Sequence, residues 1–273
     1  MNTVPLVSIL VHTKNSEQTI RKHLESIKNQ NYQHIEIIAV DNHSTDNTLK
    51  ILKKYTKQVF TFGPERSAQR NFGAKKAMGE YLLVPDSDMY LTKNVIAECV
   101  DLVTKNPEIK EVIIPEESIG IGFWAQCKVL ERSCYLGDST IEAARFFDKK
   151  VFWEVGGYDE KITGPEDWDL PQRIKNKYPV GRINSFILHD EGNLRLQTVI
   201  QKKYYYGKKL SRYLSKHSSK TTITQTIYFL RPAFYRNWKK LLAHPVITCG
   251  MFIMLTGEQI AGACGYLKGK FKL

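Results

Sequence analysis

The sequence predicts an α/β fold, with a mostly parallel central sheet flanked by helices and a basic, helical C-terminal region. Three observations carry this prediction. Short apolar runs alternate with helical periodicities from residue 4 to about 115, the pattern of a parallel sheet covered on both faces. Three apolar strands run into acidic loops, at Asp41, at Asp86-Ser87-Asp88 and at Glu166-Asp167, and open α/β sheets bind ligands at that carboxyl edge. Near Glu191 the composition changes abruptly.

The elements follow in order. Val7–Val11 and Ile35–Val40 read as buried strands. Between them Ser16 is placed to N-cap a helix whose Ile20, Leu24 and Ile27 recur at helical spacing. Ser44-Thr45-Asp46 opens a second helix carrying Leu49, Ile51 and Leu52. A short strand at Val59–Thr61 and a helix over about 65–77 follow, and Gly79 ends that helix. The strand Tyr81–Val84 leads into Asp86-Ser87-Asp88. A helix over about 92–105 and a strand at Val112–Ile114 complete the alternation, and from 116 to 191 the pattern is less regular.

A chain of 273 residues can build one large core, or a domain with an appendage, and 42% apolar residues is ordinary for a globular protein. The first five residues carry neither a basic nor an apolar leader pattern, so no signal peptide is expected. Five widely spaced cysteines without a C-x-x-C pair argue against a disulfide framework or structural zinc. The net charge of +12 is localised: between Glu191 and Glu258 there is no Asp or Glu, and the twelve Lys and Arg there account for the whole excess. The sequence thus divides into a balanced domain over 1–191 and a basic region over 192–273, the former with halves 1–115 and 116–191.

Asp86 and Asp88 project to the same side of an extended segment, and close carboxylates repel unless a cation lies beside them. A divalent cation carrying substrate phosphates is one solution, and a solvated acidic turn is the other. Neither a P-loop nor a G-x-G-x-x-G is present, which disfavours an ordinary NTPase or dehydrogenase. A nucleotide can still be accommodated, with Asp41 accepting from a base N–H, Asp86 from ribose hydroxyls and Arg70 pairing with a phosphate. Turn and cap chemistry competes for Asp41 and Asp46, and Arg70 alone reads equally as a surface charge.

In order along the chain stand Val7 to Asn15, Val40-Asp41-Asn42-His43-Ser44-Thr45-Asp46-Asn47-Thr48, Ala68-Gln69-Arg70-Asn71-Phe72-Gly73-Ala74, Asp86-Ser87-Asp88, Gly156-Gly157-Tyr158-Asp159 and Gly164-Pro165-Glu166-Asp167. Together, over roughly residues 4–190, they resemble family 2 glycosyltransferases of the GT-A fold. The resemblance implies an inverting, metal-dependent transfer from a nucleotide-diphosphate sugar. It implies Asp88 as a ligand of Mn²⁺ or Mg²⁺, and Asp41, Asp86, Ser87, Arg70 and the loop Thr13-Lys14-Asn15 as donor contacts. That first loop, His12-Thr13-Lys14-Asn15, departs from the more usual Pro-x-Tyr-Asn. By family position Asp167 is the base that deprotonates the acceptor, with Glu166 second; an acidic first turn favoured by the helix dipole is the plainer reading. His189, after the strand Phe186–Leu188, fits a late metal-ligand position and would tilt the preference towards Mn²⁺. Trp168 could wall the acceptor pocket or pack in the core, and Arg132 and Arg145 are candidate ligands of an acceptor phosphate. Gly156-Gly157 reads as a loop near the donor sugar or as a simple turn.

Beyond Glu191, Lys202-Lys203-Tyr204-Tyr205-Tyr206-Gly207-Lys208-Lys209 mixes cations with aromatics, as suits anionic lipid headgroups. No nucleic-acid-binding motif supports the other partner such a surface would suit. Val246 to Leu267 is mostly apolar and just long enough to span a bilayer, but Glu258, Gln259 and four glycines interrupt it. Monotopic docking at the cytoplasmic face, next to a polyprenyl-phosphate or lipid-linked glycan acceptor, is the preferred expectation over a span. The competing functions are a nucleotidylyltransferase, disfavoured by the missing Gly-rich lysine loop, and a catalytically silent membrane-recruiting subunit.

Overall fold

The computed structural model describes residues 4–217 and 220–271, with the side chains of 220, 221 and 223 excepted. Lys272, a lysine beyond the apolar stretch Val246 to Leu267, lies outside the described residues. The chain forms two compact units, Met1–Glu116 with Ala143–Glu160 and Glu166–Leu188, and Glu117–Glu142 with Lys161–Pro165 and His189–Leu273.

In the first unit all of β1 (Val7–Thr13) is buried, as a central strand covered on both faces must be. α1 (Ile20–Lys28) buries Ile20, Leu24 and Ile27 on one stripe. β2 (Ile35–Asp41) runs parallel to β1 with Thr13 beside Asp41, so the two strands end level. α2 (Thr48–Leu52), β3 (Val59–Thr61) and α3 (Arg66–Lys76) lead to β4 (Tyr81–Leu83), which pairs with the other side of β1. The strand order therefore reverses about β1, which places a crevice at its carboxyl end. β5 (Met89–Leu91), α4 (Val95–Lys105) and β6 (Glu111–Ile113) follow. The chain passes through β7 (Glu116–Ile121) and α5 (Phe123–Ser133) and returns as β8 (Ala144–Asp148). Next come α6 (Lys149–Glu154), α7 (Glu166–Lys175), β9 (Val180–Arg182) and β10 (Ile187–Asn193).

The seven-stranded sheet has the order β3-β2-β1-β4-β8-β6-β9. Only β8 runs antiparallel to its neighbours, so the predicted mostly parallel sheet is present. Alternate residues of β1 feed opposite cores: Val7, Ile9 and Val11 join α1 and α4, while Leu10 joins residues of α6 and α7.

Two expected details differ. Ser16 does not cap α1, which starts at Ile20 with Thr19 as its N-cap. Instead the Ser16 carbonyl accepts from the Thr19 and Ile20 amides, and its own amide donates to Thr48 Oγ1, 2.7 Å away. Asp46 does not begin α2; its carboxylate accepts from the Thr48 amide at 3.0 Å, the turn chemistry that competed for it.

Glu111, on β6, is fully buried, and neither carboxylate oxygen has a hydrogen-bond partner among the described residues. Burial pushes its carboxyl up to about 8, against a smaller opposing pull from Lys175. Between about pH 4.3 and 8 the folded chain therefore holds a proton that the unfolded chain has lost, and stability falls as pH rises. Glu111→Gln removes this dependence. Thermal melts at pH 5 and pH 8.5 should converge in the variant, with a gain at the higher pH of up to ~4 kcal/mol.

The second unit adds α8 (Leu196–Lys208), α9 (Leu210–Lys216), α10 (Lys220–Thr226), α11 (Pro232–Arg236), α12 (Trp238–Ala243) and α13 (Pro245–Phe271). Its core includes Cys127 and Leu130 of α5, Val199 of α8 and Met251, Met254 and Leu255 of α13. Inside that core Lys128 Nζ lies 2.6 Å from both Glu131 Oε2 and Glu258 Oε1. Lys203 Nζ lies 3.2 Å from Glu258 Oε2.

Candidate active site

The carboxyl ends of β1, β2 and β4 and the N-terminus of α7 supply the clustered residues of the first unit. Asp41 ends β2 fully buried, and its carboxylate accepts from Thr13 Oγ1 at 2.8 Å and from the Ser44 amide at 2.8 Å. These bonds hold the loop after β2 against the end of β1. Asn15 is in the left-handed region (φ 49°), and its side chain accepts from the Thr45 amide at 2.8 Å. Lys14 and Asn15 are exposed at this mouth. Ser87 Oγ reaches Ser16 Oγ at 3.1 Å, tying the loop after β4 to the loop after β1.

At the centre is a buried charge network. Arg70, on α3, is fully buried; its Nη2 lies 2.7 Å from Asp86 Oδ1 and its Nη1 lies 2.6 Å from Asp167 Oδ1. Arg145, on β8, makes the same link from another strand, at 3.5 Å to Asp86 Oδ2 and 3.3 Å to Asp167 Oδ2. Its Nε binds Glu116 at 2.9 Å. Arg66 pairs with the buried Glu166, and His12 Nε2 stands 2.9 Å from Asp86 Oδ1. Two guanidiniums thus bridge the carboxylate of the Asp-x-Asp loop to the carboxylate at the start of α7. Planar, multiply donating arginine suits that task better than lysine.

The charge states follow. Burial alone would raise the Asp86 and Asp167 carboxyls, but Arg145 and Arg70 outweigh it and hold both below the usual carboxylate range. Burial lowers His12 to about 4, with Arg70 adding to the effect against Asp86, so at neutral pH its imidazole is neutral and donates to Asp86.

A glycine-dependent turn braces this network. Asn71 donates to the Tyr158 carbonyl at 2.8 Å and accepts from the Tyr158 amide at 2.9 Å. Gly157, at φ 65°, carries the chain there, and a Cβ on it would press on the Asn71 side chain. The Tyr158 ring lies 5.0 Å from the Arg70 guanidinium, a cation–π contact.

The sequence profile of glycosyl transferase family 2 matches residues 8–152, more than half of the chain. The chain belongs to glycosyl transferase family 2. Among relatives, an uncharacterized glycosyltransferase of Haemophilus influenzae is 33% identical over 112 residues, 38% of this chain and 44% of its own length. Chondroitin synthase of Escherichia coli is 23% identical over 221 residues, 76% of this chain and 32% of its own. The chain thus spans less than half the length of these relatives. Among solved structures, the mannosyltransferase PcManGT from Pyrobaculum calidifontis, in complex with GDP-Man and Mn²⁺, superimposes with a TM-score of 0.66 at 15% identity, covering 99% of this chain and 88% of that one. TarS 1–349 of Staphylococcus aureus in complex with UDP-GlcNAc gives 0.56 at 16% identity, over 97% and 90%. These likenesses establish the GT-A fold.

Within this family 2 chain, Thr13, Asp41, Arg70, Asp86, Arg145, Glu166 and Asp167 all lie in the first unit, and Asp86, Arg70, Arg145 and Asp167 form direct ion pairs. Trp168 is half-buried on the first turn of α7. Arg132 and His189 belong to the second unit, where Arg132 Nε lies 2.8 Å from Glu191. Arg145 and Arg70 both pair with carboxylates rather than standing as open anion sites. Sequence reasoning missed His12, Arg66, Glu116 and Tyr158 as members of the network. His12 left a signal: an ionisable residue within a strand that is mostly apolar, one position before its carboxyl edge.

The residues suit a hard divalent cation held jointly with substrate. Both Asp86 oxygens are engaged by Arg70, His12 and Arg145, and the half-buried Asp88 is the second carboxylate of the loop. No group of three or more His, Cys, Asp or Glu among the described residues forms a protein-only metal cage. One carboxylate plus diphosphate oxygens is a usual Mg²⁺ arrangement.

Proposed function

We propose that the chain is an inverting glycosyltransferase that moves a sugar from a nucleotide-diphosphate sugar to an acceptor hydroxyl or phosphate on a lipid-linked carrier or glycan. The observation that carries this reading is the pair of arginines linking Asp86 to Asp167, because it fixes a donor-side carboxylate and a base-side carboxylate in one frame. Asp41 and Thr13 read the base, Asp86 takes the ribose hydroxyls, and Ser87, Lys14 and Asn15 complete the donor mouth. Asp88 would hold the divalent cation, which when bound would neutralise the leaving diphosphate.

For a hydroxyl acceptor, its oxygen bonds to the sugar C1 as the bond from C1 to the diphosphate oxygen breaks on the opposite face. The acceptor proton passes to Asp167, which Arg145 and Arg70 keep ionised and oriented. Glu166 is held by Arg66 and frames the same turn. GDP-Man and UDP-GlcNAc are the donors named with the structural neighbours, and Mn²⁺ accompanies the former; both support a nucleotide-sugar donor and a divalent metal here.

The basic second unit carries one helix, Pro245–Phe271, long and apolar enough to cross a membrane by length and composition. We read the enzyme as peripheral, docked on the cytoplasmic face where lipid-borne acceptors are presented.

The test is a panel of nucleotide sugars with Mn²⁺ or Mg²⁺. One donor should raise the thermal midpoint in a metal-dependent way, since a ligand of the native state stabilises it. The same donor should then label a lipid extract. Metal-independent stabilisation without transfer would favour a silent binding subunit, and release of diphosphate from a nucleoside triphosphate would favour a nucleotidylyltransferase.

A further inference from the structure

We propose that the second unit docks on an anionic lipid surface with α13 lying in the plane of the interface rather than across the bilayer. This rests on the peripheral reading above and names the surface that makes contact.

α13 has two unlike faces. The inner face buries Met251, Met254, Leu255 and Glu258 against α8 and α5. The outer face repeats an apolar residue every seven positions: Val246 is 70% exposed, Ile253 60%, Ile260 60% and Leu267 51%. A seven-residue repeat keeps these positions on one narrow stripe, drifting only about 20° per repeat. Helices of the same unit add exposed Leu230, Tyr235, Trp238 and Leu242. Tyr and Trp are the side chains that settle at a membrane–water boundary.

The inner face rules out a span. Glu258 is 1% exposed, in contact with Lys128 and Lys203 from α5 and α8. The backbones of α8 and α13 also touch: a Cβ on Gly265 would collide with the Tyr204 carbonyl, and one on Gly207 with the Gly262 carbonyl. To cross the bilayer α13 would have to leave these partners and carry a carboxylate into hydrocarbon.

Charge selects lipid over a second copy of the chain. Exposed Lys239 precedes the stripe, and exposed Lys268 and Lys270 follow it. Parallel pairing of two copies would set Lys268 and Lys270 beside their own counterparts, and antiparallel pairing would set them beside Lys239. Both arrangements oppose like charges. From residue 192 onwards Glu258 is the sole acid against fifteen Lys and Arg, and it is buried. An anionic headgroup layer is the partner this face complements.

Two native thiols report on it. Cys249 and Cys264 are exposed on the stripe side of α13, whereas Cys99, Cys127 and Cys134 are buried. The full chain is labelled with a membrane-impermeant maleimide, read by peptide mass spectrometry, alone and with vesicles of phosphatidylcholine or of phosphatidylcholine with one-third phosphatidylglycerol. Anionic vesicles should slow labelling of both thiols at least fivefold, and high salt should reverse much of the effect. Ile253→Asp with Ile260→Asp, both at exposed positions, should keep the parent melting curve and lose vesicle binding at least tenfold. Vesicle binding with both thiols still fully reactive would overturn the proposed surface while sparing the peripheral reading. Protection of both thiols that high salt leaves unchanged would indicate a span, and protection that grows with protein concentration without lipid would indicate a second copy. No vesicle binding would overturn both the surface and the peripheral reading.

Discussion

Asp167→Asn should lower kcat for sugar transfer by about 10²–10⁴-fold, the usual contribution of a positioned base, with little change in the donor's KM. The amide cannot accept the acceptor proton, and its nitrogen would face Arg70 or Arg145 where an oxygen now binds each. A modest fall in thermal midpoint is therefore expected alongside the catalytic loss. The donor-induced thermal shift should persist, because Asp41, Thr13 and Asp86 are untouched. In the parent, Arg145 and Arg70 hold Asp167 ionised below the ordinary carboxylate range despite burial. Activity should then show no acid limb above about pH 4 and decline only as pH falls through that lowered value. Steady-state assays across pH decide the matter. Transfer that continues at the parent rate in the Asn variant would remove Asp167 from the chemistry and turn attention to Glu166, the second candidate in the turn.

Glu258→Gln should destabilise the full chain by about 3–5 kcal/mol, the range for removing one partner of a buried ion pair. Two lysines converge on this carboxylate, the buried Lys128 and the half-buried Lys203, and both would then face an amide. Burial opposes ionisation of Glu258, but Lys203 and Lys128 hold its carboxyl at about 2. Its stabilising contribution is thus fully present at neutral pH and is lost as pH falls from about 4 towards 2. Replacing Glu258, Lys128, Lys203 and Glu131 together by Leu and Met should recover most of the loss, since well-packed apolar groups can substitute for a buried ionic cluster. Denaturant unfolding of the parent and the two variants measures this, and an unperturbed Gln variant would mean that the cluster is solvated in solution.

Much of the fold was legible where local patterns are strong. β1 and β2 are runs of buried residues ending in an acidic loop, and the periodicity of Ile20, Leu24 and Ile27 located α1. β8 was not legible. Its Ala144-Arg145-Phe146-Phe147-Asp148 breaks the apolar run with a charge whose partners, Glu116 and Asp167, lie elsewhere in the chain. The short β5 was hidden for another reason: Met89-Tyr90-Leu91 lies between the Asp86-Ser87-Asp88 loop and the helix expected from about 92. At the site, single residues could be named from their motifs, but their pairing could not. Arg70 and Asp167 are 97 positions apart, and spacing alone cannot reveal that one guanidinium serves two carboxylates.

The tripeptide Gln69-Arg70-Asn71 on α3 has a consequence for how such a protein diversifies. Successive helix positions point about 100° apart, so the three side chains address three separate structures. Gln69 donates to the carbonyls of Thr13 and Val40, at 3.0 and 2.7 Å, across the tips of β1 and β2. Arg70 faces the two aspartates, and Asn71 clasps the backbone of Tyr158. A change in any one therefore tilts the axle on which the other two turn, and the three can be inherited or transplanted only as a block. Exposed Lys14 carries no such obligation to the scaffold's interior. New donor preferences should accumulate at that rim, and libraries built there should stay folded while libraries built on the tripeptide collapse.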